Sequence, residues 1–306
     1  MRQTFYSNGK LLLTGEYLVL DGAKALALPT KMGQNLQVVT HDKPTISWKS
    51  FDADGTIWFE DELELDAIIN YKEAAESSVK NTLLTILHHA HLLQPSFFQE
   101  TVGYQIETGL TFPKKWGLGT SSTLINNLAQ WLKIDAFELL NNSFGGSGYD
   151  IACAQNDTPI FYQLENQKPN VTPLDFQPEF ASNLYFVYLN QKQSSKNAIA
   201  AYYNKKHEKL KQNIANINKL SDAVATAKNI KSFANALQLH ENELSAILEL
   251  LTVQEALFSD FDGVVKSLGA WGGDFILAIA LEDPTAYFSS KGYSTVIPYK
   301  EMILGA

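Results

Sequence analysis

Cysteine is almost absent from this sequence, which contains Cys153 as its single cysteine among 306 residues. A lone cysteine excludes an intrachain disulfide and a cysteine-based metal cluster, and it fits a reducing compartment, so we expect a cytoplasmic protein. Long apolar runs are absent as well, and no transmembrane helix or membrane partner is expected. Residues 1–22 lack a small-residue cleavage site after their apolar stretch, so we expect mature structure there rather than a signal peptide.

Positive charge is also in short supply. The chain has 24 Lys and Arg residues against 33 Asp and Glu residues, which gives a net charge of −9. An acidic chain without a basic cluster is a poor candidate for binding nucleic acid. If this protein binds an anion, it must do so locally, with backbone N–H groups and a few well-placed lysines.

The best-known phosphate and metal signatures are missing too. The sequence has no GxxxxGK[ST] loop, and its candidate glycine loop lacks the third glycine of a dinucleotide-binding fingerprint. The HRD and DFG strings of protein kinases and the HExxH metal signature do not occur. These absences argue against the P-loop, Rossmann, protein-kinase and zinc-protease classes.

The composition that remains is that of a globular protein, with 45% hydrophobic and 19% charged residues over a length that favours two domains. Apolar runs and helical spacing predict strands and helices in both halves, which indicates an α+β or α/β protein. The proline-rich stretch 165–180 is the candidate connection between domains. Strands are expected within 9–40, where Gly15, Gly22 and Gly33 would form the turns. A hairpin is expected over 45–60, and further strands over 102–108, 184–190, 275–281 and 294–299. Helices are expected over 71–93, after residue 120, over most of 196–266, and from Asp283.

The loop GLGTSST at residues 117–123 is the first candidate for chemistry. It follows a predicted strand and opens an amphipathic helix, for which Thr120 or Ser121 is a natural N-cap. The free N–H groups of a first helical turn and the helix dipole form an anion site, and glycines allow a phosphate to approach the backbone closely. A glycine turn with a serine cap is the competing interpretation.

Two further glycine turns and one lysine are weaker candidates. The segment GGSGYD places Asp150 at a predicted helix start, where a carboxylate can be a general base, a lysine partner or a helix cap. Lys10 lies near the first strand, where a lone lysine is usually exposed to solvent. The turn GAWGGD at residues 269–274 precedes a strand, and tight strand geometry alone could require its glycines.

Taken together and in this order, the motifs resemble those of the GHMP kinases, the superfamily of galactokinase, homoserine kinase, mevalonate kinase and phosphomevalonate kinase. The similar segments are GKLLLTGEYLVLDG (9–22), GLGTSST (117–123) and SLGAWGGDF (267–275), and GGSGYDIACA is similar to the phrase that carries the family's catalytic aspartate. The resemblance implies a two-domain α+β fold. It comprises an ATP-binding domain like domain 2 of ribosomal protein S5 (residues 1–176) and a ferredoxin-like domain (residues 177–306), with ATP and substrate in the cleft between them.

The resemblance also implies roles for individual residues. Asp150 matches the catalytic aspartate, and Lys10 matches the lysine that favours its ionised form. Ser121 matches the serine that meets magnesium or the β-phosphate, and Glu138 is the uncertain candidate for an acidic magnesium ligand. The phosphate loop comprises Gly117, Leu118, Gly119, Thr120, Ser121 and Ser122. The substrate side comprises Glu16, Tyr17, Ser195, Gly269, Ala270, Gly272 and Gly273.

Some residues depart from the family pattern. Trp271 and Asp274 stand in the third motif where most relatives have small residues, and an aspartate there adds negative charge beside the phosphates. Tyr17 replaces the histidine that is usual in mevalonate kinases, which is closer to the phosphomevalonate kinase pattern. The acidic magnesium ligand has no clear match.

The resemblance implies a kinase that uses ATP and Mg²⁺ to phosphorylate mevalonate or phosphomevalonate in isoprenoid precursor synthesis. A phosphomevalonate site needs extra cations, for which Lys114, Lys192 and Lys196 are candidates. The alternatives are another small-alcohol kinase of the superfamily, a diphosphomevalonate decarboxylase, and a non-catalytic metabolite-binding protein of the same fold. The expected partners are ATP and a small molecule, and we include a homodimer among the expectations.

Overall fold

Helices and strands occur along both halves of the computed structural model, in agreement with the mixed pattern of the sequence. The structure describes residues 2–72, 78–98, 102–192, 195–204 and 209–305, without the side chains of Ser195 and Lys196. The chain forms two compact units. Unit 1 comprises Met1–Gly9, Met32–Lys114 and Leu118–Gln155, and unit 2 comprises Lys10–Lys31, Lys115–Gly117 and Asn156–Ala306. The predicted domain boundary at residue 176 comes from the resemblance and stays a prediction.

Unit 1 combines a sheet with helices. The sheet has the order β4–β3–β5–β2, with β1 also paired to β2; β3 and β5 run parallel, whereas β4–β3 and β5–β2 are antiparallel. The elements are β1 (Arg2–Leu12), β2 (Ala25–His41), β3 (Thr45–Phe51), β4 (Ile57–Glu64), α1 (Leu65–Ile69), α2 (Val79–Leu93), β5 (Gly103–Leu110), α3 (Thr120–Leu132), α4 (Ala136–Ser143) and α5 (Tyr149–Gln155). Both β1 and β2 also contribute residues to unit 2.

The core of unit 1 lies between one face of this sheet and the helices. Trp48 and Ile106 are neighbours in register on β3 and β5, and both are buried in one cluster with Leu128 of α3. Trp131 adds an aromatic group, because its ring lies 5.0 Å from those of Phe97 and Tyr104. The apolar face of α3 is therefore fully used in packing, which fixes the orientation of the helix and of its N-terminus.

Gly33 is not at a turn, contrary to the sequence prediction. It lies inside the continuous strand β2, and a Cβ atom at this position would come within 2.1 Å of the backbone oxygen of Ser7. A glycine within a strand often marks such a close approach of two backbones. The predicted turns at Gly15 and Gly22 do have the positive φ angles, 88° and 89°, that favour glycine.

Unit 2 contains an antiparallel sheet of order β11–β8–β10–β9. Its strand β10 is buried along its whole length, as expected for an apolar run in the middle of a sheet. Its elements after residue 156 are β6 (Ile160–Glu165), β7 (Lys168–Pro173), β8 (Leu184–Tyr188), α6 (Ser195–Tyr203), α7 (Leu210–Ala225), α8 (Ile230–Leu248), α9 (Val253–Leu257), β9 (Val264–Ser267), β10 (Phe275–Ile279), α10 (Thr285–Ser290), β11 (Val296–Pro298) and α11 (Tyr299–Met302).

The stretch 165–180 is not simply a connection. Its first half is strand β7, which forms a hairpin with β6 inside unit 2. Asn166 and Gln167 form the two-residue turn with φ of 52° and 63°, as a hairpin of this length requires. Pro169 and Pro173 are compatible with a strand because β7 pairs with β6 and is the edge strand of its sheet, and edge strands tolerate proline.

None of the described helices is both long and apolar enough to cross a membrane.

Packing of α3 predicts a large difference between two leucine substitutions in unit 1. Leu128→Ala removes a side chain with no exposed surface and should lower the free energy of unfolding by about 2–5 kcal/mol. Leu92→Ala removes one that is 56% exposed and should cost less than about 1 kcal/mol. Urea unfolding followed by tryptophan fluorescence measures both. Equal losses for the two variants would contradict the burial of this face of α3.

Candidate active site

Gly119 sets the geometry of the candidate phosphate loop. It has φ 102° and precedes the first residue of α3, Thr120. The predicted N-cap at Thr120 or Ser121 is therefore wrong: the capping position is a glycine, and no side chain caps this helix end. Because the first N–H groups of an α-helix have no intrahelical partner, the uncapped end leaves donors directed at any anion bound there.

The hydroxyl groups of the loop fall into two pairs. Ser122 and Thr123 turn back on the backbone, and each donates to the carbonyl oxygen of Gly119 at 2.9 Å. The Thr120 hydroxyl is buried and has no hydrogen-bond partner among the described residues, and Ser121 is half-buried beside it. The Ser122 hydroxyl is thus engaged by the backbone, whereas the Thr120 hydroxyl is not, and the phosphate contacts of Thr120, Ser121 and Ser122 stay predictions.

Asp150 lies in the first turn of α5, after a run of three glycines with positive φ: Gly145, Gly146 and Gly148. Its side chain is half-buried, and its Oδ1 atom lies 3.1 Å from the N–H of Ile151. Helix α5 packs against α3, and a hydrogen bond of 3.0 Å from Gln155 to Asn126 links the two helices. Unit 1 alone therefore holds both the phosphate loop and the candidate catalytic carboxylate.

Glu138 is a weak metal candidate in the structure. It lies in the first turn of α4, its side chain is exposed, and its N–H is capped by Asp135 at 3.0 Å. Among the described residues, no group of three His, Cys, Asp or Glu side chains could hold a metal ion. The Thr120 and Ser121 hydroxyls are oxygen donors of the kind that Mg²⁺ accepts, so they fit a magnesium ion that arrives bound to nucleotide phosphates.

Lys10 lies near the end of β1, in unit 2. Its Nζ atom donates a hydrogen bond of 3.1 Å to the carbonyl oxygen of Gly117, the first residue of GLGTSST. The side chain is half-buried, so it is not simply a surface lysine. The ammonium group is held at the residue that leads into the phosphate loop.

Glu16 belongs to a buried ion cluster that the sequence did not predict. Lys266, with no exposed surface, lies 2.5 Å from Glu16 and 3.0 Å from Glu241. Ser267 donates to Glu241 at 2.6 Å, and His240 accepts the N–H of Gly15 at 2.9 Å. The carboxylate of Glu16 is 2% exposed and pairs with Lys266, and its place on the substrate side stays a prediction.

Ionisation in this cluster follows from burial. Burial raises the pKa of Glu16 to about 7, although Lys266 acts in the opposite direction. Burial lowers the pKa of Lys266, but Glu16 and Glu241 outweigh it, so this pKa lies above its ordinary value. Burial and the Lys266 charge hold the pKa of His240 well below its ordinary range, which agrees with a neutral ring that accepts a hydrogen bond.

Tyr17 is also buried rather than open to a substrate. It has φ 63°, its ring lies 5.7 Å from that of Tyr202, and its hydroxyl accepts the N–H of Trp271 at 2.8 Å. Burial raises the pKa of its phenol. Tyr17 therefore ties the first motif to the third motif within unit 2, and its substrate-side role stays a prediction.

The third motif forms the turn between β9 and β10. Gly269 and Gly272 both have φ 70°, and the N–H of Gly273 donates to Ala270 at 3.1 Å. The Trp271 indole donates to the carbonyl oxygen of Leu251 at 3.0 Å. The substrate-side role predicted for these glycines and Ala270 stays a prediction, whereas their turn geometry accounts for two of the glycines directly.

The remaining substrate candidates are dispersed. Ser195 begins α6, and its side chain, like that of Lys196, lies outside the described part of the structure. Lys192 is exposed. The ammonium of Lys114 lies 3.8 Å from the centre of the Trp58 ring, a cation–π contact within unit 1.

Solved structures of similar fold cover nearly the whole chain. The Methanococcus jannaschii mevalonate kinase matches with a TM-score of 0.72 at 15% identity, covering 97% of this chain and 96% of that one. The Lactococcus lactis galactokinase in complex with galactose gives 0.71 at 14% identity, covering 100% and 94%. The Streptococcus pneumoniae phosphomevalonate kinase in complex with phosphomevalonate and AMPPNP gives 0.67 at 14% identity, covering 99% and 98%. No family model and no curated protein sequence matches the chain.

The chain has the GHMP kinase fold. This confirms the α+β class and the overall fold expected from the three glycine motifs. The TM-scores of 0.67–0.72 show the fold, whereas identities of 14–15% do not show the substrate. The residue roles therefore remain predictions. The detailed likeness of each domain to ribosomal protein S5 or to ferredoxin likewise stays a prediction.

The buried Glu16 predicts a pH dependence of stability. The unfolded chain releases this proton near the ordinary pKa of 4.5, whereas the folded chain keeps it up to about 7. Between these values the folded state binds more protons, so the free energy of unfolding should fall as the pH rises, by roughly 3 kcal/mol from this group. Glu16→Gln should remove this fall.

Urea unfolding of both proteins between pH 4.5 and 8 measures the difference in slope. Glu165→Gln is the matched control, since Glu165 is exposed in unit 2 and its bond to Asn170 survives the change. The control should keep the wild-type slope. A Glu16→Gln variant that also kept it would show that Glu16 is not the group responsible.

Proposed function

We propose that this protein is an ATP-dependent kinase that transfers the γ-phosphoryl group of MgATP to a small molecule, with mevalonate and phosphomevalonate as the first candidate substrates. One observation carries the proposal: unit 1 combines an uncapped helix N-terminus, bearing a buried hydroxyl without a partner at Thr120, with Asp150 on the adjoining helix. An anion site beside a half-buried carboxylate supplies the two elements that phosphoryl transfer requires, namely phosphate positioning and a group for the nucleophile's proton.

The N-terminus of α3 would bind the nucleotide phosphates. Its N–H groups and the positive end of the helix dipole attract anions in a chain that otherwise carries a net charge of −9. Thr120 and Ser121 add hydroxyls that can donate to a phosphate oxygen. Magnesium bound with the nucleotide would neutralise phosphate charge, and the resemblance makes Ser121 the candidate oxygen to meet it.

Asp150 would orient the attacking group and accept its proton. In the first turn of α5, its Oδ1 atom accepts the N–H of Ile151, which holds the carboxylate in place. Lys10, as an ammonium group at Gly117, would add positive charge for the transferring phosphoryl group. Most of the catalysis would then come from positioning and charge neutralisation.

The substrate is less sharply defined than the reaction. The similar structures include kinases of mevalonate, phosphomevalonate and galactose, so the fold accommodates alcohols as well as phosphate esters. Of the cations suggested for a substrate phosphate, Lys114 is engaged with Trp58 and Lys192 is exposed. Neither of these two lysines is preassembled for a second phosphate, so mevalonate is tested beside phosphomevalonate.

Asp150→Asn is the sharpest test of the catalytic role. The substitution keeps the shape of the side chain but removes the base, so kcat should fall by about 10²–10⁴ while ATP affinity stays within a few fold. Coupled-enzyme assays with Mg²⁺ and either mevalonate or phosphomevalonate measure kcat, and calorimetry measures ATP binding. Asp66→Asn, an exposed carboxylate in unit 1, is the control and should retain wild-type turnover.

Two results would contradict the proposal in different ways. Wild-type kcat in Asp150→Asn would show that Asp150 is not the base. Absence of both ATP binding and turnover in the wild type, over a panel that also includes galactose and sugar phosphates, would favour a metabolite-binding protein of this fold.

A further inference from the structure

Asp274 has a backbone conformation that is unusual for a residue other than glycine. It ends the third glycine turn with φ 38°, in the left-handed region that L-residues rarely adopt. Its backbone is fixed on both sides, because its N–H donates to Gln191 at 3.1 Å and its carbonyl oxygen accepts the N–H of Leu189 at 2.8 Å. The conformation is therefore imposed by the turn, and it directs the carboxylate to one defined place.

That place is Gly117. A Cβ atom built on Gly117 would lie 2.0 Å from Oδ2 of Asp274, so the carboxylate fills the space that any other side chain at this position would need. The carbonyl oxygen of the same glycine accepts the hydrogen bond from Lys10 at 3.1 Å. A carboxylate and an ammonium group are thus held against a single residue, within roughly 8 Å of each other given ordinary backbone dimensions.

The Asp274 charge acts on a neighbouring side chain of unit 2. Burial, and then the negative charge of Asp274, raise the pKa of Tyr188. Tyr188 is 9% exposed and donates from its hydroxyl to the carbonyl oxygen of Lys115 at 3.2 Å. Trp116 packs edge-on against Phe275, with ring centres 5.4 Å apart. Residues 115–116 are therefore packed against β8 and β10.

A carboxylate at this place has two opposite consequences for an anionic ligand. If it acted alone, its charge would repel phosphates bound by the loop that begins at Gly117. If it acts on Lys10, it holds the ammonium group at Gly117, which favours phosphate binding. The two cases predict opposite signs for the effect of removing the charge.

We propose that Asp274 is a positioning residue, which holds the Lys10 ammonium group at Gly117 so that the lysine is ordered before the nucleotide binds. The expected effect on ATP binding rests on the proposed function. The geometry does not, because Lys10, Gly117 and Asp274 all belong to unit 2. It gives a role to the residue by which the third motif departs most clearly from the family pattern, and it explains why position 117 must be glycine.

The test is a double-mutant cycle with Asp274→Asn, Lys10→Met and both together. Asparagine retains the shape of aspartate and tolerates the left-handed conformation, so it removes little besides the charge. We expect Asp274→Asn to weaken MgATP binding about tenfold in calorimetry, and to have no weakening effect in the Lys10→Met background. Asp222→Asn, which removes the carboxylate of an exposed pair with Lys24 in the same unit, should leave ATP affinity unchanged.

Tighter ATP binding by Asp274→Asn would overturn the proposal, because it would show simple repulsion. Equal weakening in the presence and absence of Lys10 would overturn it as well, because Asp274 would then act independently of the lysine.

Urea unfolding of the same four proteins gives a readout that needs no ligand. If the two residues are coupled, the loss of unfolding free energy in the double variant should be smaller than the sum of the losses in the two single variants. If the wild type binds no ATP, the proposed kinase function fails while this cycle still decides the coupling. Additive changes in unfolding would contradict the positioning role.

Discussion

The uncapped N-terminus of α3 is the constraint on which the candidate site depends. Gly119 enters the helix with φ 102°, which lets the chain turn from the segment at Gly117 into α3 without a side chain over the helix end. The buried face of α3, with Leu128 and Trp131, then fixes the direction in which the free N–H groups point. A serine or threonine cap would satisfy those donors internally and reduce the capacity for an anion. A glycine at this position therefore gives up cap stabilisation and leaves those N–H donors without a side-chain cap.

The loop also divides its hydroxyl groups between structure and ligand. Ser122 and Thr123 donate to Gly119 and thereby hold the turn, whereas the Thr120 oxygen is buried without a partner among the described residues. A buried hydroxyl without a hydrogen bond is costly in a stable protein, and a ligand that satisfies it recovers that cost. The hydroxyls of TSST thus differ in their hydrogen bonding at adjacent positions, which the residue types alone do not show.

The sequence predicted the fold well where local patterns decide the structure. The apolar run of β10, the hairpin of β3 and β4, and the amphipathic α3 follow from periodicity, and the three glycine motifs predicted the GHMP kinase fold. It failed where a long-range contact decides. Gly33 was predicted to be a turn because the sequence does not show that the backbone of Ser7, on another strand, leaves no space for a side chain there. The proline-rich stretch looked like a linker because nothing local shows that β7 is an edge strand.

The buried cluster around Lys266 shows the same limit at the level of the site. Glu16 lies in a motif and was assigned to the substrate side, but its partner is 250 residues away in a strand with no distinguishing signal. Burial raises the pKa of Glu16 against the opposite effect of Lys266, and the second carboxylate, Glu241, raises it further. The first motif is therefore joined to α8 and β9 by an ion cluster and to the third motif by Tyr17. Within unit 2, the hydrogen bond between Trp271 and Tyr17 joins the third motif to the first. Lys10 of the first motif and Asp274 of the third motif both lie against Gly117.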